Sequence, residues 1–152
     1  MSRHDHVVGQ NFKRLDRSAY PHRVESAINP HSETASFDLV LVSLVLEHLE
    51  DPAPSVRSRA ASSKMGGTLI VIELHPIAYA AGSRARFEDK KGTKHTAAWP
   101  HTAEVLRGYA IAAVFSPTDM KDVSPSAQLL ERFPSRRAAG TPWLLEGAWV
   151  RP

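Results

Sequence analysis

Two apolar runs in this sequence each close on an acid and a histidine. "FDLVLVSLVLEHLEDP" (residues 37–52) ends with Glu47 and His48, and "TLIVIELHP" (68–76) ends with Glu73 and His75. A carboxylate and an imidazole at such an end can contact a ligand, and His75 can take a proton from a nucleophilic substrate. The plainer alternative is that Glu47 and His48 merely start the next turn, and that His75 is a loop histidine before Pro76. Downstream, His95, Trp99 and His101 cluster within a few residues. With His75 they offer imidazoles to a transition metal. Their spacing matches no zinc signature, so polar surface or a lid over a substrate is the simpler assignment, and no metal is expected. The "HDH" at 4–6 falls in a terminus that should fray.

The elements that must position these residues form a strand–helix–strand unit. The run 38–46 shows no in–out alternation, so both faces of its first half should be covered, as in a parallel sheet under helices. Asp51-Pro52 reads as a cap followed by proline at the first helical position. "APSVRSRAASSKM" then carries a helix with Val56, Ala60 and Met65 inward, ended by Gly66-Gly67 in the manner of a left-handed C-cap. A second strand follows at 68–74, joined by a right-handed crossover. In open α/β sheets ligands sit beyond the carboxyl ends of the strands. That is where Ser43, Leu44, Glu47 and His48 lie for the first run, and Glu73 and His75 for the second.

Beyond Pro76 the spacing predicts a loop or hairpin turning at Lys91-Gly92. A helix opened by Thr102 comes next, then a short helix between prolines. The last strand, 143–150, should be antiparallel, with Trp143 and Trp149 in the core. The fold class is therefore α/β, a mainly parallel sheet with flanking helices and an antiparallel final strand.

The 152 residues are the size of one domain, enough to bury roughly two thirds of the unfolded chain's surface. Net charge is only +3, and the basic stretches at 89–91 and 135–137 are short and mixed. Without a clustered basic face, no nucleic-acid partner is expected. The absence of cysteine excludes disulfides, thiol nucleophiles and cysteine-based zinc sites. The first residues hold no apolar signal core and no run is long enough to span a bilayer, so the expected location is cytoplasmic, with no membrane partner.

Three motifs in order carry a family resemblance: "FDLVLVSLVLEHLEDP", then "SKMGGTLIVIELHP", then "ARFED". Together they resemble the second half of a class I S-adenosylmethionine-dependent methyltransferase. That family shows an Asp plus apolar run plus "LEHLED", and a helix closed by a basic residue and two glycines. In a small-molecule branch, its next strand ends in an acid followed by "LHP". The tail "LLERFPSRRAAGTPWLLEGAWVRP" is similar to that branch's closing segment. The resemblance is strongest over 37–76, looser over 77–152, and weak or absent over 1–36.

The resemblance implies methyl transfer from S-adenosylmethionine to a small-molecule acceptor. It implies cofactor contacts from Ser43, Leu44 and Glu47, substrate contacts from His48, Glu73 and His101, and a catalytic role for His75. A base is not obligatory, since methyl transfer from a sulfonium can run on in-line placement and exclusion of water. The family cradles its cofactor with a glycine-rich turn after its first strand and an acid ending its second. Residues 1–36 contain no Gly-x-Gly pattern: Gly9 stands alone, and Asp16 follows no strand pattern. The chain thus reads as a single methyltransferase-like domain over 1–152, truncated, with an atypical or poorly ordered segment at 1–36 and its core at 37–152. Cofactor binding is expected to be weak or absent.

Two rivals stand beside this reading. One is a non-catalytic, degenerate methyltransferase-like module for interaction or dimerisation. The other is an unrelated doubly wound small-ligand domain. Loss of the family's first strand would also leave the run 38–45 at a sheet edge. An apolar edge invites pairing, so Val40, Val42 and Leu44 should be covered by residues 5–28, by a second copy in a homodimer, or by another partner chain.

Overall fold

The computed structural model describes residues 26–27, 34–132 and 141–152. At its centre are the elements expected from the two apolar runs. Strand β1 (Phe37–Ser43) is followed by a 3-10 turn (Leu46–His48), helix α1 (Ala53–Ser62) and strand β2 (Ser63–Leu74). The two strands are adjacent and parallel, from Leu39 opposite Thr68 to Ser43 opposite Ile72. Then come α2 (Pro76–Ala80), the hairpin β3 (Arg86–Asp89) and β4 (Gly92–His95), and α3 (Ala103–Ala112). The chain closes with β5 (Ser116–Pro117), β6 (Lys121–Val123), α4 (Ala127–Arg132) and β7 (Leu144–Val150). The main sheet runs β1-β2-β7-β5, with β6 also on β7, and β7 is antiparallel to all three of its neighbours. The hairpin forms a separate two-stranded sheet turning at 90–91.

Local chemistry accounts for most boundaries. The Asp51 carboxylate accepts the Ala53 N–H at 3.0 Å, while Pro52 stands where a missing N–H is harmless. Thr102 caps α3, its hydroxyl accepting the Val105 N–H. Helix α1 ends earlier than Gly66-Gly67, because its last carbonyls find other donors. The Ser63 N–H and hydroxyl bond the Arg59 carbonyl, the Ser62 hydroxyl bonds Ser58, and the Arg151 guanidinium reaches Ala60 and Ser63. The glycine pair instead shapes a bulge. Between Phe37 opposite Ser63 and Leu39 opposite Thr68, β2 spends four residues where β1 spends one. Gly66 takes φ +76° there, and a Cβ on Gly67 would sit 2.8 Å from the Lys64 carbonyl oxygen. Met65 lies on this bulge and is 71% exposed, so it does not face inward with Val56 and Ala60.

The core occupies one face of the sheet. Val42, Leu69, Val71, Leu145 and Trp149 pack there against Val56 and Ala60 of α1, Leu106 and Ala110 of α3, and Phe115. The expectation that β1 is covered on both faces is not met among the described residues. Val42 is 4% exposed, but Leu39 and Leu41 are 58% and 60% exposed. The described helices that reach the core, α1 and α3, share one side, so β1 alternates after all.

The edge of β1 also differs from expectation. The Leu44 N–H donates to the Ile72 carbonyl at 2.7 Å. Backbone direction alternates along a strand, so Val40 and Val42 point their amides at β2 as well. The outward groups are those of Leu39, Leu41 and Ser43. The proposed cover, residues 5–28, lies outside the described residues except for Ser26 and Ala27. The Ala27 carbonyl accepts from the Ser55 hydroxyl and from Arg59 on α1.

Candidate functional site

Parallel pairing brings the carboxyl ends of β1 and β2 side by side, so the two acid–histidine ends meet. Glu73 lies at the end of β2 and is 2% exposed; Glu47 lies in the 3-10 turn and is 4% exposed. Each reaches across to the other strand's end. Glu73 Oε1 accepts the N–H of Leu46 at 3.0 Å and that of Val45 at 3.3 Å, while Oε2 accepts the N–H of Glu47 at 3.1 Å. In return, Glu47 Oε2 accepts the N–H of Leu74 at 3.0 Å. The amides opening a 3-10 turn have no partner within it, and Glu73 supplies one. Burial pushes the Glu73 carboxyl up to about 7, with the neighbouring Glu47 adding to the rise and the three amides opposing it.

The same turn is held from its other side. His101 Nε2 lies 3.2 Å from the Leu46 carbonyl and 3.1 Å from that of Leu49. Carbonyls only accept, so Nε2 carries the proton. The His101 ring meets Tyr109 edge-on. The Trp99 N–H donates to the Glu47 carbonyl at 2.6 Å. His48 Nδ1 donates to the Ala97 carbonyl at 2.9 Å, leaving Nε2 3.6 Å from Glu47 Oε1. Segment 96–101 therefore lies against the turn.

Ser43 and Leu44 stand exposed just before it. Leu44 adopts φ +53°, a left-handed backbone that is unusual for a bulky residue and costs about 1–3 kcal/mol. Such strain persists only where surrounding bonds over-determine it. Here the bonds are those from the Leu44 amide to Ile72 and from the next three amides to Glu73.

His75 is arranged differently from what a base needs. Its Nδ1 accepts the Ile77 N–H at 3.0 Å, capping α2. In the neutral ring the proton is then on Nε2, which faces Asp122 of β6 at 3.4 Å. No lone pair is left free to take a substrate proton, which counts against the catalytic role expected of His75. Asp122 was not singled out by the sequence, since only the pairing of β6 with β7 brings it near β2. Tyr79 of α2, whose hydroxyl donates to the Ala98 carbonyl at 3.2 Å, has no sequence signal either, since the contact depends on how segment 96–101 lies against the strand ends. His95 is exposed on β4, opposite Arg86. Among the described residues no group of three His, Asp or Glu side chains is placed to hold a metal ion. Nor is any helix among them long and apolar enough to cross a membrane.

The family model of a methyltransferase domain matches residues 7–71. The match reaches back well before residue 37, into the segment where the motifs alone suggested weak or no resemblance. No curated protein matches significantly. Among solved structures, the fold resembles an S-adenosylmethionine-dependent methyltransferase from Mesorhizobium loti. That pair has a TM-score of 0.64 and 20% identity over 89% of this chain and 74% of the other. A Listeria monocytogenes protein, provisionally assigned to the same class, gives a TM-score of 0.66 at 14% identity over 86% and 68%. The [4+2]-cyclase SpnF gives 0.59 at 17% identity over 86% and 56%. Identities this low speak to the fold alone, and the cyclase shows that one fold hosts more than one chemistry.

Proposed function

Because a methyltransferase-family match and a methyltransferase fold together support a member of the class I S-adenosylmethionine-dependent family, we propose that this chain transfers a methyl group from S-adenosylmethionine to a small-molecule acceptor. The observation that carries the reading is the coincidence of the family match over 7–71 with the β1–α1–β2 unit. The carboxyl end of that unit presents exposed Ser43 and a left-handed Leu44. These two residues suit one flank of the cofactor. His48 and His101 border the acceptor's side, and residues 1–152 act as one domain. S-adenosylmethionine supplies an electrophilic methyl group on a sulfonium. The chain's part is to orient the acceptor and exclude water, with His75 holding α2 instead of serving as a base. The rival reading as a non-catalytic module is not favoured by the family match.

The test is incubation with methyl-labelled S-adenosylmethionine and a panel of small amines, phenols and carboxylic acids. Label should move to at least one acceptor. Since residues 1–36 hold no Gly-x-Gly turn, cofactor affinity should be weaker than micromolar, less favourable than about −8 kcal/mol. No transfer to any acceptor, together with no cofactor binding at millimolar concentration, would refute the reading.

A further inference from the structure

The crossed carboxylates tie the two strand ends together: Glu73 accepts three backbone amides through both oxygens, and Glu47 accepts one through Oε2, with Oε1 3.6 Å from His48 Nε2. Both are almost fully buried, and four backbone amides donate to them. Among the described residues no lysine or arginine pairs with either. Glu73, buried without a cation, is retained at a cost, which a merely decorative turn does not require. The turn they hold follows directly on the strained Leu44.

We propose that Glu73 and Glu47 are positioning residues, a reciprocal clamp that locks the end of β1 to the end of β2 and fixes the 44–49 turn in the shape that presents Ser43 and Leu44 to the cofactor. The proposal rests on the methyl-transfer reading for the identity of the ligand, but the clamp itself does not. It replaces the direct cofactor contact expected of Glu47 and the substrate contact expected of Glu73. The titratable groups facing the clamp are His48 and His101 from the turn and its covering segment, and the His75–Asp122 pair beside β2.

The two acids differ in what the clamp asks of them. Glu47 uses one oxygen on one amide, so Gln, which keeps an acceptor, should serve. Glu73 uses both oxygens, so Gln would set an NH2 group against a donating amide. The experiment measures S-adenosylhomocysteine affinity by calorimetry for the intact chain and for Glu47→Gln, Glu47→Ala and Glu73→Gln, with thermal unfolding to check that each folds. Glu47→Gln should bind within about twofold of the parent, whereas Glu47→Ala and Glu73→Gln should each lose about tenfold, the worth of one hydrogen bond. Equal losses in Glu47→Gln and Glu47→Ala would mean that the charge itself meets the ligand, and would overturn the proposal. If the parent does not bind S-adenosylhomocysteine, the functional reading fails instead. The clamp is then read from amide exchange. Glu47→Ala should speed exchange at Leu74, and unchanged exchange there would overturn it. Should Glu73→Gln not fold, the Glu47 pair of variants decides alone.

Discussion

Glu73 carries a charge state that matters for stability as well as for shape. Its carboxyl ionises near 4.5 when unfolded and at about 7 when folded. The folded chain therefore keeps a proton that the unfolded chain has lost between those values. Folding stability from this group is present in full below about 4.5, falls as pH rises towards 7 and is level above it. The whole fall amounts to about 3 kcal/mol. Other carboxylates titrate in the same range, so the useful quantity is a difference. Denaturant unfolding of the parent and of Glu73→Gln across pH 4 to 8 should show the parent losing stability relative to the variant as pH rises. A flat difference would mean that Glu73 ionises in the folded state as it does in water.

At the scale of elements, the bulge that opens β2 deserves a direct test. A Cβ on Gly67 would meet the Lys64 carbonyl oxygen at 2.8 Å and that of Phe37 at 3.1 Å. Backbone atoms of two strands cannot yield as a side-chain tip can, so Gly67→Ala should cost about 1–3 kcal/mol. Gly66→Ala meets no atom but inherits φ +76° and should cost about 1 kcal/mol. Chemical denaturation of both variants checks the order. These glycines also show where the sequence was legible. The paired runs, the crossover helix, the Thr102 cap and the antiparallel last strand can all be read, because each has a local signature in apolar runs, caps or turns; the hairpin can be read too, although it turns at 90–91, one residue before the expected Lys91-Gly92. The glycine pair reads locally as a helix end, because a left-handed C-cap favours glycine. The last carbonyls of the helix are met by Ser62, Ser63 and Arg151, and the contribution of Arg151, so distant in sequence, has no local pattern to announce it. The site divides along the same line. The strand ends named Ser43, Leu44, Glu47, His48, Glu73 and His75. That the two acids face each other's amides, and that His75 caps α2, depends on register and rotamer.

For the whole molecule the open question is the outer side of β1. A strand with Leu39 and Leu41 more than half exposed and one edge unpaired among the described residues is the kind that recruits a partner strand. Each backbone group left buried without a partner costs about 1–3 kcal/mol, so a cover for the apolar face has to pair the edge as well. Residue-resolved amide exchange separates the two sides of the strand. Val40, Val42 and Leu44 direct their amides at β2 and should be protected in any case. Leu39, Leu41 and Ser43 direct theirs outward, and protection there reports the cover alone. We expect those three to be protected in the intact chain. Protection that persists on dilution would come from the chain's own residues, while protection that fades on dilution would come from a second copy. Rapid exchange at all three, at every concentration, would show the edge bare, and the exposed leucines would then need a reason other than pairing.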